Sequence, residues 1–223
     1  MTLDWEPLWL TFKLAALTTL ILLIVGVPLA WWLAFTRCRL KAVAETLVSM
    51  PLVLPPSVLG FYLLLAFSPQ SALGAFLDSQ FHLRLVFSFA GLVVGSVIFS
   101  LPFMVQPLQA GFQSLPASLA EAAYTLGKSR RQTLFRVLLP NVKPALLSGI
   151  VLSFAHTVGE FGVVLMIGGN IPGETRVASI AIFTEVESLN YATANFYAGV
   201  LFAVSFVVLM TVYLVNKRYL RPT

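Results

Sequence analysis

Charge is scarce in this sequence. Asp, Glu, Lys and Arg make up 10% of its 223 residues, against about a quarter in a water-soluble domain. Hydrophobic residues make up 58% and the mean hydropathy is +0.90. The solvent for most of the chain is therefore expected to be a lipid membrane. Cys38 is the single cysteine, which excludes an intrachain disulfide. The two histidines, His82 and His156, lie far apart, and no metal-ligand spacing, carboxylate pair or nucleophile motif stands out. No metal, cofactor or membrane-embedded enzyme chemistry is expected. Gly127-Lys128-Ser129 ends like a phosphate-binding loop, but Ala122 stands where that motif needs its first glycine, and no strand precedes it. An ATP site on this chain is not expected. No internal repeat is visible, so an inverted-repeat secondary transporter gains no support. The N-terminal stretch also lacks the basic, apolar, small-residue order of a cleaved signal, since Asp4 and Glu6 come first.

What the chain does have is long apolar runs. A spanning helix needs about 20 apolar residues, which allows about five or six here. The reading is all-α and polytopic, one transmembrane domain over 1–223 with about five spans. Segment one runs from about Leu8 to Phe35, with a kink expected near Gly26 and Pro28. Trp5, Trp9, Trp31 and Trp32 at its ends suit interfacial aromatic belts. Segment two, Leu47 to Phe67, carries Pro51, Pro55 and Pro56, so its first half cannot be a regular helix. Irregular backbone in a membrane must be covered by protein or line a cavity. Pro55 and Pro56 are thus candidates for the path, the alternative being a packing kink. Segment three, Leu85 to Leu108, places Gly91 and Gly95 in small-xxx-small spacing for helix contact. Segment four runs from Pro144 to Ile167 and segment five from Phe196 to Val215. The connector 168–194 contains Val177 to Phe183, too short to span and read as an interfacial or re-entrant piece.

Basic residues set the orientation. Arg37, Arg39, Lys41, Lys128, Arg130, Arg131, Arg136, Lys143, Lys217, Arg218 and Arg221 follow segments one, three and five, whereas the other connectors carry only Arg84 and Arg176. The positive-inside rule places the first set in the cytoplasm, the N-terminus outside and the C-terminus inside. The net charge of +5 is thus a membrane signature, and no nucleic-acid partner is expected.

The longest polar run is the loop at about 112–143. Ser118 with Glu121, and Ser129 with Gln132, have capping-box spacing. Gly127 can take the left-handed conformation that ends a first helix, and Pro140 is expected to stop a second. The result is a compact basic helix pair, either a docking element or a capped linker. Glu121-Ala122-Ala123, Gly127 four residues on, and then Leu139-Pro140 resemble the inner-face loop of ABC importer permeases. The resemblance implies that these residues seat in a cleft of a cytoplasmic ATPase subunit. It also implies a homodimer of permeases in the inner membrane, two ATPases and an extracytoplasmic substrate-binding protein. Gly159-Glu-Phe-Gly162, Asn170-Ile-Pro-Gly-Glu-Thr-Arg176 and Pro51 to Pro56 look like the molybdate branch, close to the sulfate permeases. That implies an oxyanion substrate, molybdate first, with sulfate, thiosulfate and tungstate open.

Glu160 is an acid in an apolar segment, where a function is the default expectation. His156 is four residues earlier, hence expected on the same helix face, and Gly159 and Gly162 allow close approach of another helix. The functional reading is a gate or a polar point on the path; the alternative is an ion pair or capping contact. A direct anion ligand is not expected, since a carboxylate repels an oxyanion.

Overall fold

The computed structural model describes residues 4–219, so Arg221 lies outside the described residues. Every regular element among them is helical. α1 (Glu6–Phe35) is a single helix of 30 residues with Pro7 in its first turn, where a missing amide donor costs nothing. Two of its hydroxyls turn back on the helix: Thr11 and Thr19 each donate to a carbonyl one turn earlier, at 2.7 Å. α2 (Lys41–Ser49) passes through a 3-10 turn, Met50–Leu52, into α3 (Pro56–Phe67), and the two halves meet at 112°. The break is local chemistry. Pro55 precedes another proline and is held extended, with φ −54° and ψ 135°. The irregular part is confined to this junction, and α2 begins before the expected Leu47.

The connector after α3 contains α4 (Ala72–Phe81), opened by Ser71 accepting from the Gly74 amide at 2.9 Å. α5 (Phe89–Gln113) follows the Ser88 cap and runs through Pro102 and Pro107. Then come α6 (Ala117–Thr125), α7 (Arg130–Thr133), a π-helical turn at Leu134–Leu138, and α8 (Leu139–Asn141). α9 (Lys143–Val158) and α10 (Gly162–Gly168) replace the single segment four with two helices. The outer connector holds α11 (Ala178–Glu187), and α12 (Tyr191–Tyr219) closes the described chain. Three of these helices are long and apolar enough to cross a membrane, and five crossings result if each bent pair is one span. The Val177 to Phe183 piece, expected to be interfacial or re-entrant, belongs to α11, a helix of 10 residues with Ala178, Ile180 and Ala181 buried.

α1, α5 and α9 pack on one another around Met104, which is fully buried. Glycine makes that approach possible. A Cβ on Gly26 would stand 2.7 Å from Met104 Cγ, and one on Gly149 would stand 3.1 Å from Met104 Sδ. The small-residue spacing in segment three resolves differently from its expectation. Gly95 faces Val163 and Ile167 of α10, within the subunit, whereas a Cβ on Gly91 would strike the Leu85 carbonyl. Gly91 therefore serves the start of α5 and not a helix contact. Two cores mark the two ends. Leu33, Val48, Phe112, Leu134 and Leu138 gather at the end that carries Arg37 to Lys41 and the 112–143 loop. Leu10, Leu14, Leu92, Ile167 and Ile180 gather at the other.

Candidate functional site

The 112–143 loop is two capped helices with a tight break. At the end of α6, Gly127 has φ +73°, the left-handed region, and a Cβ there would meet nothing within 4 Å. The Gly127 amide donates to the Tyr124 carbonyl at 2.9 Å and the Lys128 amide to the Ala123 carbonyl at 3.0 Å. This bond pair is the Schellman closure. Two residues later the Ser129 hydroxyl accepts from the Gln132 amide at 3.3 Å, and the Gln132 side chain accepts from the Ser129 amide at 3.1 Å. The second expected capping box is therefore present and the first is absent. α6 starts at Ala117 from a Pro116 cap, which leaves Ser118 inside the helix with no cap to make. Pro140 also acts differently from its expectation. It sits within α8, and the chain turns by 84° only at Val142, into α9. Pro140 cannot donate to the turn before it. There the backbone widens into the π turn, the Leu139 amide bonds to the Leu134 carbonyl, and Asn141 Nδ2 donates to the Val137 carbonyl at 2.6 Å.

Glu121 and Ala122 are exposed on α6, and so are Tyr124 and Leu126. Ala123 points inward and is 5% exposed, so its small size serves its own chain. Leu139 is half-buried. Lys128, Arg130, Arg131 and Arg136 are exposed, and no ion pair among the described residues involves them. Leu126 is 77% exposed, an apolar surface residue that the motif spacing did not single out.

The second cluster lies where the broken segments meet. Gly162 opens α10 against the start of α3, and a Cβ on it would stand 2.7 Å from the Pro56 Cβ. Gly60 likewise admits Met166, whose Cβ would be 2.7 Å from an added Cβ. Pro56 and Gly162 are thus brought together, with Pro55 as the cap of α3. His156 and Glu160 do not pair as expected. α9 ends at Val158 with Gly159 as its cap, so Glu160 falls in the break rather than one turn above His156. His156 turns to α5 instead. Its Nδ1 is 2.9 Å from the Ser100 hydroxyl, and its ring stacks on Phe103 at 4.0 Å. The Ser100 hydroxyl is also 3.0 Å from the Thr157 hydroxyl, which donates to the Ser153 carbonyl.

Glu160 is buried, at 4% exposure, and neither carboxylate oxygen has a hydrogen-bond partner. Ser96 of α5 lies beside it, close enough for its hydroxyl to interact with the carboxyl group but outside good hydrogen-bond geometry. The backbone of Glu160 is held at both groups: its carbonyl accepts from the Ser179 hydroxyl of α11 at 2.6 Å, and its amide donates to the Thr157 carbonyl at 3.3 Å. Ser96, Ser100 and Ser179 escaped the sequence reading because single serines in apolar helices carry no spacing signal. The Asn170 to Arg176 stretch closes on itself. Arg176 Nε donates to Asn170 Oδ1 at 2.6 Å, and the buried Thr175 hydroxyl donates to the Gly168 carbonyl at 2.8 Å. Its two polar ends are therefore committed to shaping the turn.

Comparison with known proteins agrees with this geometry. The family model described as binding-protein-dependent transport system inner membrane component matches residues 26–222. The molybdenum transport system permease protein ModB of Azotobacter vinelandii is 50% identical over 210 residues, covering 94% of this chain and 93% of the relative. The sulfate transport system permease protein CysT of Salmonella typhimurium is 34% identical over 196 residues, covering 88% of this chain and 70% of the relative. Among solved structures, a bacterial ABC transporter involved in the import of the acidic polysaccharide alginate shares the fold. Its TM-score is 0.79 at 16% identity, covering 99% of this chain and 81% of that one. This chain belongs to the family of binding-protein-dependent transport system inner membrane components, the permease subunits of ABC importers.

Proposed function

We propose that this chain is the membrane permease subunit of an ATP-driven molybdate importer, in which two copies form the path. Two cytoplasmic ATPase copies seat on the Glu121 to Pro140 loops, and an extracytoplasmic binding protein delivers the oxyanion. The single observation that supports the substrate is the 50% identity over 94% of the chain to a permease named for molybdenum transport, against 34% for one named for sulfate. Hydrolysis belongs to the partner ATPase. This chain converts it into motion. A push on Ala122 of α6 and on its C-cap Leu126 travels through a doubly capped break into α7. The 84° turn at Val142 then redirects it along α9, whose far end is the Glu160 break. A carboxylate repels an oxyanion, so Glu160 acts as a gate element and not as a ligand.

Reconstitution in vesicles with the cognate ATPase and binding protein tests the substrate. The expected result is ATP-dependent uptake of molybdate well above that of sulfate at equal concentration. Preferred sulfate uptake would move the chain to the sulfate branch, and uptake without the ATPase would replace the reading by a secondary transporter.

The same reading places the basic end in the cytoplasm. Lys128→Cys and Gln80→Cys, both at exposed sites, are expected to react with an impermeant thiol reagent from opposite sides in a Cys38→Ala background. These positions avoid Ser129 and Ser71, whose hydroxyls cap helices. Labelling from the same side contradicts the five-span orientation.

A further inference from the structure

A groove of about 560 Å³ runs between α1 and the segment from α7 to α9. Its wall on α1 is Leu23, Ile24 and Val27, and its opposite wall is Leu134, Leu139 and Leu146. Along α1 the lining runs from Leu23 to Trp31, toward the basic stretch Arg37 to Lys41, and along the other wall from Leu146 of α9 back to Arg131 of α7. By position along the helices, the Leu23–Leu146 end is therefore the deep end and the Trp31–Arg131 end the mouth. From Leu23 to Trp31 the helix rises about 12 Å, most of one leaflet of a hydrocarbon core about 30 Å thick. Apart from Trp31 and Arg131, every lining side chain is hydrocarbon. The Arg131 side chain is exposed and has neither an ion pair nor a hydrogen bond among the described residues. A second cavity, of about 270 Å³, shares Trp31 at the mouth and adds Arg130 and Tyr124.

We propose that this groove binds one anionic phospholipid, with an acyl chain between α1 and Leu146 and the phosphate at Arg131. The occupant follows from the lining. A peptide in the groove would bury backbone N–H and C=O groups against hydrocarbon, which is costly. An acyl chain has no such groups. The guanidinium gives bidentate geometry for a phosphate, and no carboxylate lines the groove to compete for it. The indole at the mouth suits the headgroup level. The site touches the loop that meets the ATPase, since Leu134 and Leu139 belong to the same continuous stretch as Arg131. A bound lipid would therefore brace the π turn against α1. The choice of the inner leaflet rests on the orientation proposed above, whereas the site itself does not.

Native mass spectrometry of the permease–ATPase complex, titrated with phosphatidylglycerol or phosphatidylcholine, is the test. One phosphatidylglycerol per permease copy is expected to survive activation that strips phosphatidylcholine. Arg131→Gln should weaken this retention about five-fold, the worth of one cationic side chain at an anionic surface. Leu146→Trp, which fills the deep end, should abolish it, and Arg131→Lys should restore part of it. Equal retention of the two lipids, or of phosphatidylglycerol in all variants, overturns the site. So does crosslinking of the groove to a protein subunit. None of these readouts depends on the transported substrate, so failure of the lipid site and failure of the molybdate reading are separable.

Discussion

Replacing Gly127 by valine is expected to uncouple ATP hydrolysis from uptake while leaving the subunit folded. The position is unusual in that space is not its constraint. A Cβ there meets nothing within 4 Å, so the whole effect comes from the backbone. At φ +73° a β-branched residue is strained by about 1–2 kcal/mol, which moves the population of the loop geometry by a factor of about 5–30. Relief of the strain breaks the bonds from Gly127 and Lys128 to the α6 carbonyls. α6 and α7 then meet at another angle, and Leu126 is carried away from its place on the surface. Gly127→Asn, which tolerates the left-handed region, should restore most of the activity. The measurement is uptake per ATP hydrolysed in vesicles, with subunit retention as a control. Full uptake per ATP in the valine variant would reduce the loop to a linker. A bulky residue tests docking better at Ala122 than at Ala123. Ala123→Trp would unseat α6 from its own chain, whereas Ala122 is exposed.

The reason so much of this loop is legible in the sequence is that caps are local. Gly127 and the Ser129–Gln132 pair act within four residues, and the structure realises both. The Ser118 box fails for an equally local reason: Pro116 fixes the helix start two residues earlier. The Pro55-Pro56 break is legible for the same reason, since proline acts on its immediate neighbour. What the sequence does not show is set by contacts between distant segments. The pairing of His156 with Ser100 spans 56 residues. Met104 draws α1 and α9 together through Gly26 and Gly149, two glycines that stand in no repeated spacing. The division of segment four into α9 and α10 hides behind an unbroken apolar run, because Gly159-Glu160-Phe161 interrupts the helix but not the hydrophobicity. Lys13 is a further example. A cation inside segment one lies over the Phe89 ring at 4.7 Å, a partner 76 residues away that no local pattern announces.

Glu160→Gln and Glu160→Met are expected to make the complex more heat-stable and less active, and the combination is what distinguishes a gate from a structural residue. A carboxyl group that is 4% exposed, with neither oxygen in good hydrogen-bond geometry and only the Ser96 hydroxyl beside it, is poorly compensated for its burial. Leaving a buried polar group unpaired costs about 1–3 kcal/mol, so an apolar side chain of similar size in its place is expected to be stabilising. Removing the carboxylate should therefore raise the thermal midpoint, by about 2–4 °C per kcal/mol at this chain length. Met should raise it more than Gln, whose amide still lacks partners. A structural ion pair or cap would behave in the opposite way, since its loss lowers the midpoint and weakens assembly. The cost also points to where the residue is used. Glu160 sits in a break that Gly159 and Gly162 flank, with its carbonyl tied to Ser179 of α11 and Ser96 of α5 alongside. A small shift of α9 against α5 exchanges the neighbours of the carboxylate without unwinding a helix. On the gate reading proposed above, another conformation of the transport cycle is expected to supply the missing hydrogen bonds, and Gln or Met to hold the protein in the conformation described here. Melting curves of the assembled complex, with molybdate uptake measured on the same preparations, decide the matter. A raised midpoint with lost uptake is the expected outcome. A lowered midpoint assigns Glu160 to the scaffold, and normal uptake in both variants removes it from the gate.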